Sequence, residues 1–436
     1  MMGLTLAHKL SQPGQTVTVL EAGPSFGGLT DAWKIGNVTW DRFYHVVLLS
    51  DTNLLELLEE FGLQDDLQWV TTRTGFYADG KLHSLSSSLE FLKFRVLSLY
   101  QKFRLASTIL YGSRLRDWRS LEKVKVEDWL RKISGNSTFE RIWLPLLKAK
   151  LGDTYKRTSA TFIWAYIDRM YKARRTGLKK EMFGYVRGGY ARIVEQVLTQ
   201  LRQRGVQFET EHAVTLAERN EKNAMVRLDF KHGDSKEFDN VVFTVPSPLI
   251  SRCCPALTDD EHKRHSEIEY IGVVCASVLM KKPFKGFYVT NIVDSWVPLT
   301  GIIEMSTIVD RQELDDHTLI YLPKYASAKD DQAYAETDDA IRDRFLGTLE
   351  RMYDDFSRED VAEFKVARAR NVMALPTLNY SEKLPPMKTS ISGVFAVNSA
   401  QIVEGNLNVN ETIEIAKRAM KDILEPQITA DQSIGS

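Results

Sequence analysis

A chain of 436 residues with 43% hydrophobic and 26% charged residues can bury more than one core and does not have the composition of a disordered protein. Its 57 basic side chains meet 58 acidic ones, for a formal charge of -1, so no global field draws it to nucleic acid or another polyanion. Its cysteines, Cys253, Cys254 and Cys275, give neither a disulfide framework nor a zinc spacing, no run approaches the ~20 apolar residues that span a bilayer, and without a recognisable leader the expected location is the cytoplasm.

Residues 2–12 read as a helix, with Leu4, Ala7 and Leu10 on one face and Pro13-Gly14 as its stop. Thr16–Leu20 follows as a short β-branched strand, then Glu21 and a glycine cluster. Helix, tight turn, strand and terminal acid form the back half of a βαβ nucleotide-binding unit, so the strand expected before Gly3 is missing. From Asp51 to Tyr185 the pattern is mainly helical, as in Asn53–Phe61 and Thr161–Tyr171, with strand only in pieces around Thr71–Leu85.

A second αβ pattern starts at Arg187-Gly188-Gly189-Tyr190. It runs as helix to Gln203, a stop at Gly205, strand Val206–Thr210, a strand near Ala224–Phe230, and Asn240–Val245 before Pro246. Residues 270–325 hold extended apolar runs, Val273–Met280, Gly301–Met305 and Thr318–Leu322, which predict a mixed sheet. Helix returns at Thr337–Arg351; Gly393–Asn398 is a buried-strand pattern and Asn410–Leu424 a helix after a polar turn. Beyond Pro426 the tail is expected to be disordered.

In a dinucleotide fold the pyrophosphate lies over the N-terminus of the first helix, where glycines allow close approach and unpaired N–H groups meet negative charge. Gly3 fits the last glycine of such a fingerprint. Glu21 stands where an acid at the end of the second strand accepts bonds from ribose hydroxyls. Gly27-Gly28 would let backbone N–H groups reach a diphosphate with no Cβ in the way.

The run Val19-Leu20-Glu21-Ala22-Gly23-Pro24-Ser25-Phe26-Gly27-Gly28-Leu29-Thr30 resembles the segment with which flavin amine oxidases, protoporphyrinogen oxidases, phytoene desaturases and UDP-galactopyranose mutases wrap FAD. Two further segments resemble the same superfamily. One is Gly188-Gly189 with Glu211-His212-Ala213-Val214 and Asn240–Pro246; the other is Gly393–Ala400 followed by Asn408-Val409-Asn410-Glu411. The resemblance implies non-covalent FAD held by Gly3, Glu21, Ala22, Gly27, Gly28, Leu29, Val214, Ser399, Asn408, Val409 and Asn410. N–H groups of the closing helix would then stabilise charge at the flavin N1–C2 carbonyl edge. The family usually has Gly-Asp where this chain has Asn398-Ser399, so an uncharged hydroxyl stands in place of the acid of the ribityl region.

The implied architecture is α/β: a Rossmann-like FAD-binding domain with its first strand missing, interleaved with a mixed-sheet and helical substrate domain. Residues 1–45, 186–250 and 385–436 would form the first, and residues 46–185 and 251–384 the second. The implied activity is that of an FAD-dependent oxidoreductase, transferring a hydride from a small organic substrate to flavin N5. No metal is expected. The catalytic residues stay open: His45, in Asp41-Arg42-Phe43-Tyr44-His45, follows the first FAD segment and has an ordinary pKa suited to proton transfer, and Lys324-Tyr325 and Tyr380 are the other candidates.

Phe91–Leu115 interleaves apolar and aromatic residues with Lys93, Arg95, Lys102, Arg104 and Arg114. Core-packing helices with solvated basic edges are the favoured expectation, and a peripheral membrane contact or channel wall the alternative. Two other functions stay open. One is a flavin isomerase like the UDP-galactopyranose mutases, with Arg157, Arg169, Arg174 and Arg187 available for a nucleotide diphosphate. The other is an inactive fragment or scaffold, because losing an interior strand and two fingerprint glycines weakens the phosphate cradle.

Overall fold

The computed structural model describes residues 1–173 and 182–424; Arg174 and the tail after Pro426 lie outside them. Helix α1 (Met2–Leu10) buries side chains on two sides. Leu4 and Ala7 pack with Val17 and Val19, while Met2 and Leu6 pack with Val242, Phe395 and Val397. One helix therefore closes two parallel ribbons. The first pairs β1 (Thr18–Leu20) with β8 (Gln207–Glu209), and the second pairs β12 (Val241–Phe243) with β18 (Val394–Ala396).

Among the described residues no strand joins these ribbons. All of β1 is only half-buried, whereas β18 is wholly buried. Both ribbons are two-stranded, so β1 and β18 each have a single strand neighbour among the described residues. Leu20 and Phe243 nonetheless share one hydrophobic cluster, so the ribbons stay together through side chains.

The large sheet is drawn from residues 74–84 and 270–374. Its order is β17 (Val361–Ala374), β13 (Tyr270–Met280), β16 (Thr318–Ser327), β15 (Gly301–Glu304), β14 (Val289–Ile292), β5 (Thr74–Ala78) and β6 (Lys81–Ser84), parallel only between β14 and β5. This is the mixed sheet expected from the apolar runs, extended at both ends. Every residue of β13 is buried, which is why it reads as an unbroken apolar run.

Val274, Ala276 and Val278 pack with Ile341, Phe345 and Leu349 of α14 (Asp338–Met352). Val273, Cys275 and Leu279 pack with Trp40, Phe183 and Tyr185. Those partners come from the hairpin of β2 (Ala32–Ile35) and β3 (Val38–Asp41) and from the antiparallel pair β4 (Leu67–Thr71) and β7 (Met182–Val186). A meander of β9 (Val214–Asn220), β10 (Met225–Phe230) and β11 (Ser235–Phe238) precedes β12.

Residues 88–173 supply a helical layer: α3 (Ser88–Lys93), α4 (Leu99–Gly112), α5 (Trp118–Glu122), α6 (Val126–Ser134), α7 (Asn136–Thr138), α8 (Leu144–Leu151) and α9 (Thr161–Ala173). Here the favoured expectation holds only in part: Phe94, Leu97, Leu105 and Leu115 pack into the core, while much of α4 does not. Helix α4 turns Lys102, Thr108 and Gly112 inward and leaves Leu99, Tyr100 and Phe103 exposed. Beside Leu105, which packs inward, the inward contacts are polar or small: Lys102 Nζ donates to Leu92 O at 2.6 Å, the Thr108 and Ser134 hydroxyls lie 2.8 Å apart, and Gly112 makes room for Ile167.

The remaining elements that bear on the site are α2 (Thr52–Glu60), α10 (Gly189–Gln203) and the closing helix α16 (Val409–Ala419). Helix α16 packs Ile415, Ala416 and Ala419 against Met2 and Leu6 of α1.

Candidate active site

Helix α1 runs back along β1, so its first turn stands beside the C-terminal end of that strand. Gly3 lies there, and a Cβ on it would be 3.5 Å from Thr244 Oγ1, just past β12. Two strand ends and one helix N-terminus thus meet, the usual place for a ligand in a parallel α/β sheet. Glu21 binds the first two sequence segments together. Its N–H donates to Glu209 O and its carbonyl accepts from His212 N–H, both at 2.9 Å. Its Oε1 accepts from Gly23 N–H at 2.8 Å, and Oε2 has no partner among the described residues.

Gly27 has φ 124° and ψ -32°, a conformation that L side chains avoid. A Cβ on Gly27 would stand 3.2 Å from Asp31 Cα, whereas Gly28, at φ 62°, has nothing within 4 Å of its Cβ position. Thr30 Oγ1 donates to Gly27 O at 3.0 Å, and Arg42 pairs with Asp31 at 2.6 Å, so the turn is held from behind while Gly28 faces open space. Ala22 is exposed and Leu29 half-buried. Val214 opens β9, and its carbonyl accepts the Cys253 thiol at 3.2 Å.

In the third segment Asn398 is 1% exposed. Its Nδ2 donates to Val245 O at 3.0 Å and Ser247 Oγ at 3.2 Å, and its Oδ1 accepts from Ala400 N–H at 2.9 Å. This amide ties the end of β18 to the chain leaving β12. Asn398→Ala is expected to lower unfolding free energy by about 2–3 kcal/mol, because it leaves buried donors and acceptors unpaired; the shift of the urea midpoint of the FAD-loaded protein measures it.

Ser399 is half-buried, and its hydroxyl has no partner among the described residues. Asn408 caps α16, its Oδ1 accepting from Glu411 N–H at 3.0 Å. Val409 is buried in the first turn. Asn410 Oδ1 accepts from Asn53 N–H at 2.9 Å and Leu54 N–H at 3.3 Å, capping α2.

These residues fit a flavin dinucleotide. Gly28 presents backbone with no atom where a Cβ would stand, and Asn406 Nδ2, in the loop before α16, is a buried donor without an acceptor. The backbone N–H groups of Val409 and Asn410 have no acceptor among the described residues either. Together with the free Glu21 Oε2, they are donors and acceptors that a polar ligand could satisfy.

Beyond the cradle lies a group that sequence reasoning found only in part. The Tyr44 and Tyr325 hydroxyls are 3.0 Å apart. Lys150 Nζ stands 3.1 Å from the centroid of the Tyr325 ring, and Tyr166 of α9 acts electrostatically on both tyrosines. Thr300 Oγ1 fixes the arrangement, donating to Ala149 O at 2.7 Å and accepting from Tyr325 N–H at 3.2 Å. All four side chains are half-buried. Burial pushes Lys150 down to about 7 and Tyr166 up to about 12. Val403 and Leu407, from the third segment, pack in the same cluster as Tyr166 and Tyr325.

The three named catalytic candidates fare differently. His45 Nδ1 is bonded to Phe43 O at 2.9 Å, and its ring rests on Tyr190. Burial pushes His45 down to about 4 and neighbouring Asp41 up to about 8, so both are neutral near pH 7. Asp41 Oδ1 accepts from Tyr190 N–H at 2.9 Å, which caps α10. Lys324 adjoins Tyr325 in β16 and so points to the other face of the sheet; burial lowers its pKa, with Arg344 and Glu336 as its charged neighbours. Tyr380 is buried, and its hydroxyl donates to Ala400 O at 2.9 Å.

Arg157, Arg169 and Arg187, the described arginines among those considered for a nucleotide diphosphate, are already occupied or line a separate cleft. Arg157 pairs with Glu269, and Arg169 NH2 bonds both oxygens of Asp51 at 3.0 and 3.1 Å. Arg187 lines a separate cleft of about 740 Å³ with Trp69, Tyr185 and Glu313. That cleft shares no residue with the cradle or the tyrosine–lysine group.

A family model described as flavin containing amine oxidoreductase matches residues 1–419. Among solved structures, putrescine oxidase bound to putrescine has a TM-score of 0.73 at 16% identity, covering 97% of each chain. An oxidoreductase from Methanosarcina mazei has a TM-score of 0.72 at 15% identity, covering 97% of this chain and 98% of its own. Cyclohexylamine oxidase from Brevibacterium oxydans has a TM-score of 0.66 at 15% identity, covering 98% and 96%. At these identities the structures share the fold with this chain.

Proposed function

The chain belongs to the family of flavin-containing amine oxidoreductases and is an FAD-dependent oxidoreductase; from that premise we propose that it oxidises an uncharged or anionic organic substrate in the space lined by Tyr44, Lys150, Tyr166 and Tyr325. What supports this reading is that residues near two of the three FAD-resembling segments come together with this tyrosine–lysine group. Tyr44 directly follows the first FAD segment, and Leu407 of the third packs with Tyr166 and Tyr325.

When bound, FAD supplies the hydride acceptor at N5. The chain's own residues hold and tune it. Glu21 offers a carboxylate to ribose hydroxyls, and Gly3, Gly27 and Gly28 let backbone approach the diphosphate, with Ala22 and Leu29 flanking that turn. Val214 presents backbone to the adenine, and Ser399 a hydroxyl to the ribityl chain. The unbonded N–H groups of Val409 and Asn410, at a helix start shaped by Asn408, stabilise negative charge on the pyrimidine edge. In this reading residues 1–45, 186–250 and 385–436 serve the cofactor, and 46–185 and 251–384 the substrate.

Substrate charge follows from what surrounds the space. Among the described residues, the groups that act on Tyr44, Tyr166 and Tyr325 include Arg169 and Cys275 but no carboxylate. A diamine such as putrescine would meet no counter-ion among these groups, and a buried cation without one is costly.

The test is anaerobic bleaching of the FAD-loaded protein's visible absorbance by putrescine, by a carboxylate-bearing porphyrinogen and by an uncharged polyene. Bleaching by either of the last two, and none by putrescine, is expected. Fastest bleaching by putrescine would overturn the charge argument.

A further inference from the structure

We propose that the ridge formed by α3 and α4 docks this protein on a lipid bilayer bearing anionic headgroups. Among the described residues ten large apolar side chains are exposed, and eight of them fall between Leu89 and Tyr111. Scattered exposed apolar residues are ordinary, but a single concentrated patch marks a contact surface. Leu99, Phe103, Ala106 and Leu110 repeat at helical spacing and form one stripe along α4, a helix of 14 residues, about 21 Å long. Leu99 is 77% exposed and Phe103 67%. Side chains this prominent stand out from the surface rather than line a groove.

Helix α3 adds Leu89 and Leu92, and the Lys102–Leu92 hydrogen bond of 2.6 Å ties it to α4. The two helices therefore present one ridge. No helix among the described residues is long and apolar enough to cross a membrane, so the contact is interfacial. Tyr100 and Tyr111, both exposed, combine an apolar ring with a polar tip, the side-chain type that favours the headgroup level.

Charge selects the occupant. The chain as a whole is near neutral, yet residues 86–115 carry five bases, Lys93, Arg95, Lys102, Arg104 and Arg114, against one acid, Glu90. Glu90 is already committed to Ser84 Oγ at 2.8 Å and Ser86 N–H at 2.7 Å. Lys93, Arg95 and Arg114 are exposed, with no carboxylate partner among the described residues. An apolar ridge rimmed by unpaired bases is complementary to acyl chains beneath acidic headgroups. A second copy of this chain, meeting it face to face, would set those bases against their own kind.

The experiment is cosedimentation of the FAD-loaded full chain with vesicles of phosphatidylcholine alone or with about 30% phosphatidylserine. Binding to the anionic vesicles is expected, weakened by raising salt. The pair Leu99→Ser and Phe103→Ser should reduce it at least about tenfold, with visible flavin absorbance and circular dichroism unchanged. Lys93→Glu with Arg95→Glu should abolish the preference for phosphatidylserine. Wild-type protein that stays in the supernatant, or a double serine variant that binds as well as wild type, overturns the proposal. So does a wild-type dimer that the serine substitutions dissociate, because the ridge would then be an interface between copies.

Discussion

A Gly27→Val chain is expected to purify folded and nearly colourless. At φ 124° and ψ -32° a β-branched residue is strained by roughly 1–3 kcal/mol, and the new Cβ would stand 3.2 Å from both Asp31 N and Cα. The turn must shift to relieve this. Its core obligations are small, since only Thr30 is buried in the turn that follows, so the fold survives. What moves is the backbone that faces the diphosphate. A displacement worth the strain alone weakens FAD binding by about 5- to 150-fold, and loss of amide contacts adds to that.

Flavin content is read from the ratio of visible to ultraviolet absorbance, and affinity from quenching of FAD fluorescence. Gly14→Val is the control, since Gly14 also has positive φ, at 85°, but no atom lies within 4 Å of its Cβ position. It should show the strain without the loss of flavin. A Gly27→Val protein that keeps full flavin would remove this turn from the cofactor site.

The residues proposed for the cradle carry local signals. A β-branched run, a strand-terminal Glu21 and a glycine pair fall within 13 residues, and each acts through backbone geometry that sequence encodes directly. Strand β13 was legible for a related reason, because burial on both faces leaves an apolar run that needs no partner to be seen. Strand β17 was not, because Lys365, Arg368 and Arg370 interrupt it; at the edge of the sheet those side chains reach solvent or neighbouring loops, and their polarity hid the strand.

The substrate side was harder still. Lys148 and Lys150 sit in the same short helix, Leu-Pro-Leu-Leu-Lys-Ala-Lys-Leu, and nothing in that run says that one is exposed and the other lies against Tyr325. Only the packing of α8 on β16 decides it. In the same way, amphipathicity told that α4 has an apolar side, but not that this side faces outward. Asn410 caps a helix 357 residues earlier in the chain, a contact with no local signature.

Lys150→Met is expected to slow flavin reduction while stabilising the protein, a pair of effects that separates a working group from a structural one. Burial holds the folded-state pKa at about 7 against an ordinary 10.5. Between those values the unfolded chain binds more protons than the folded one, so wild-type stability rises as pH goes from about 7 towards 10.5. Below 7 the full penalty of a buried charge is present, at about 1.4 kcal/mol for each unit of displacement. Methionine removes that penalty. The variant should therefore exceed wild type by a few kcal/mol at pH 6, with the gain shrinking as pH approaches 10.

Catalysis should move the other way. Above pH 7 the neutral amine of Lys150 is a base beside the Tyr44–Tyr325 hydroxyl pair, able to take a proton as substrate is oxidised. Removing such a group typically lowers the rate of the step by about 10²- to 10⁴-fold. The distinguishing readout is the pH profile of anaerobic flavin reduction: wild type should show a limb rising through about 7, and the methionine variant should lack it. Tyr325→Phe breaks the 3.0 Å hydroxyl contact but keeps the ring under Lys150, so it should lower the rate and retain the limb. A limb that survives in Lys150→Met would assign the ionisation, and the proton, to another group.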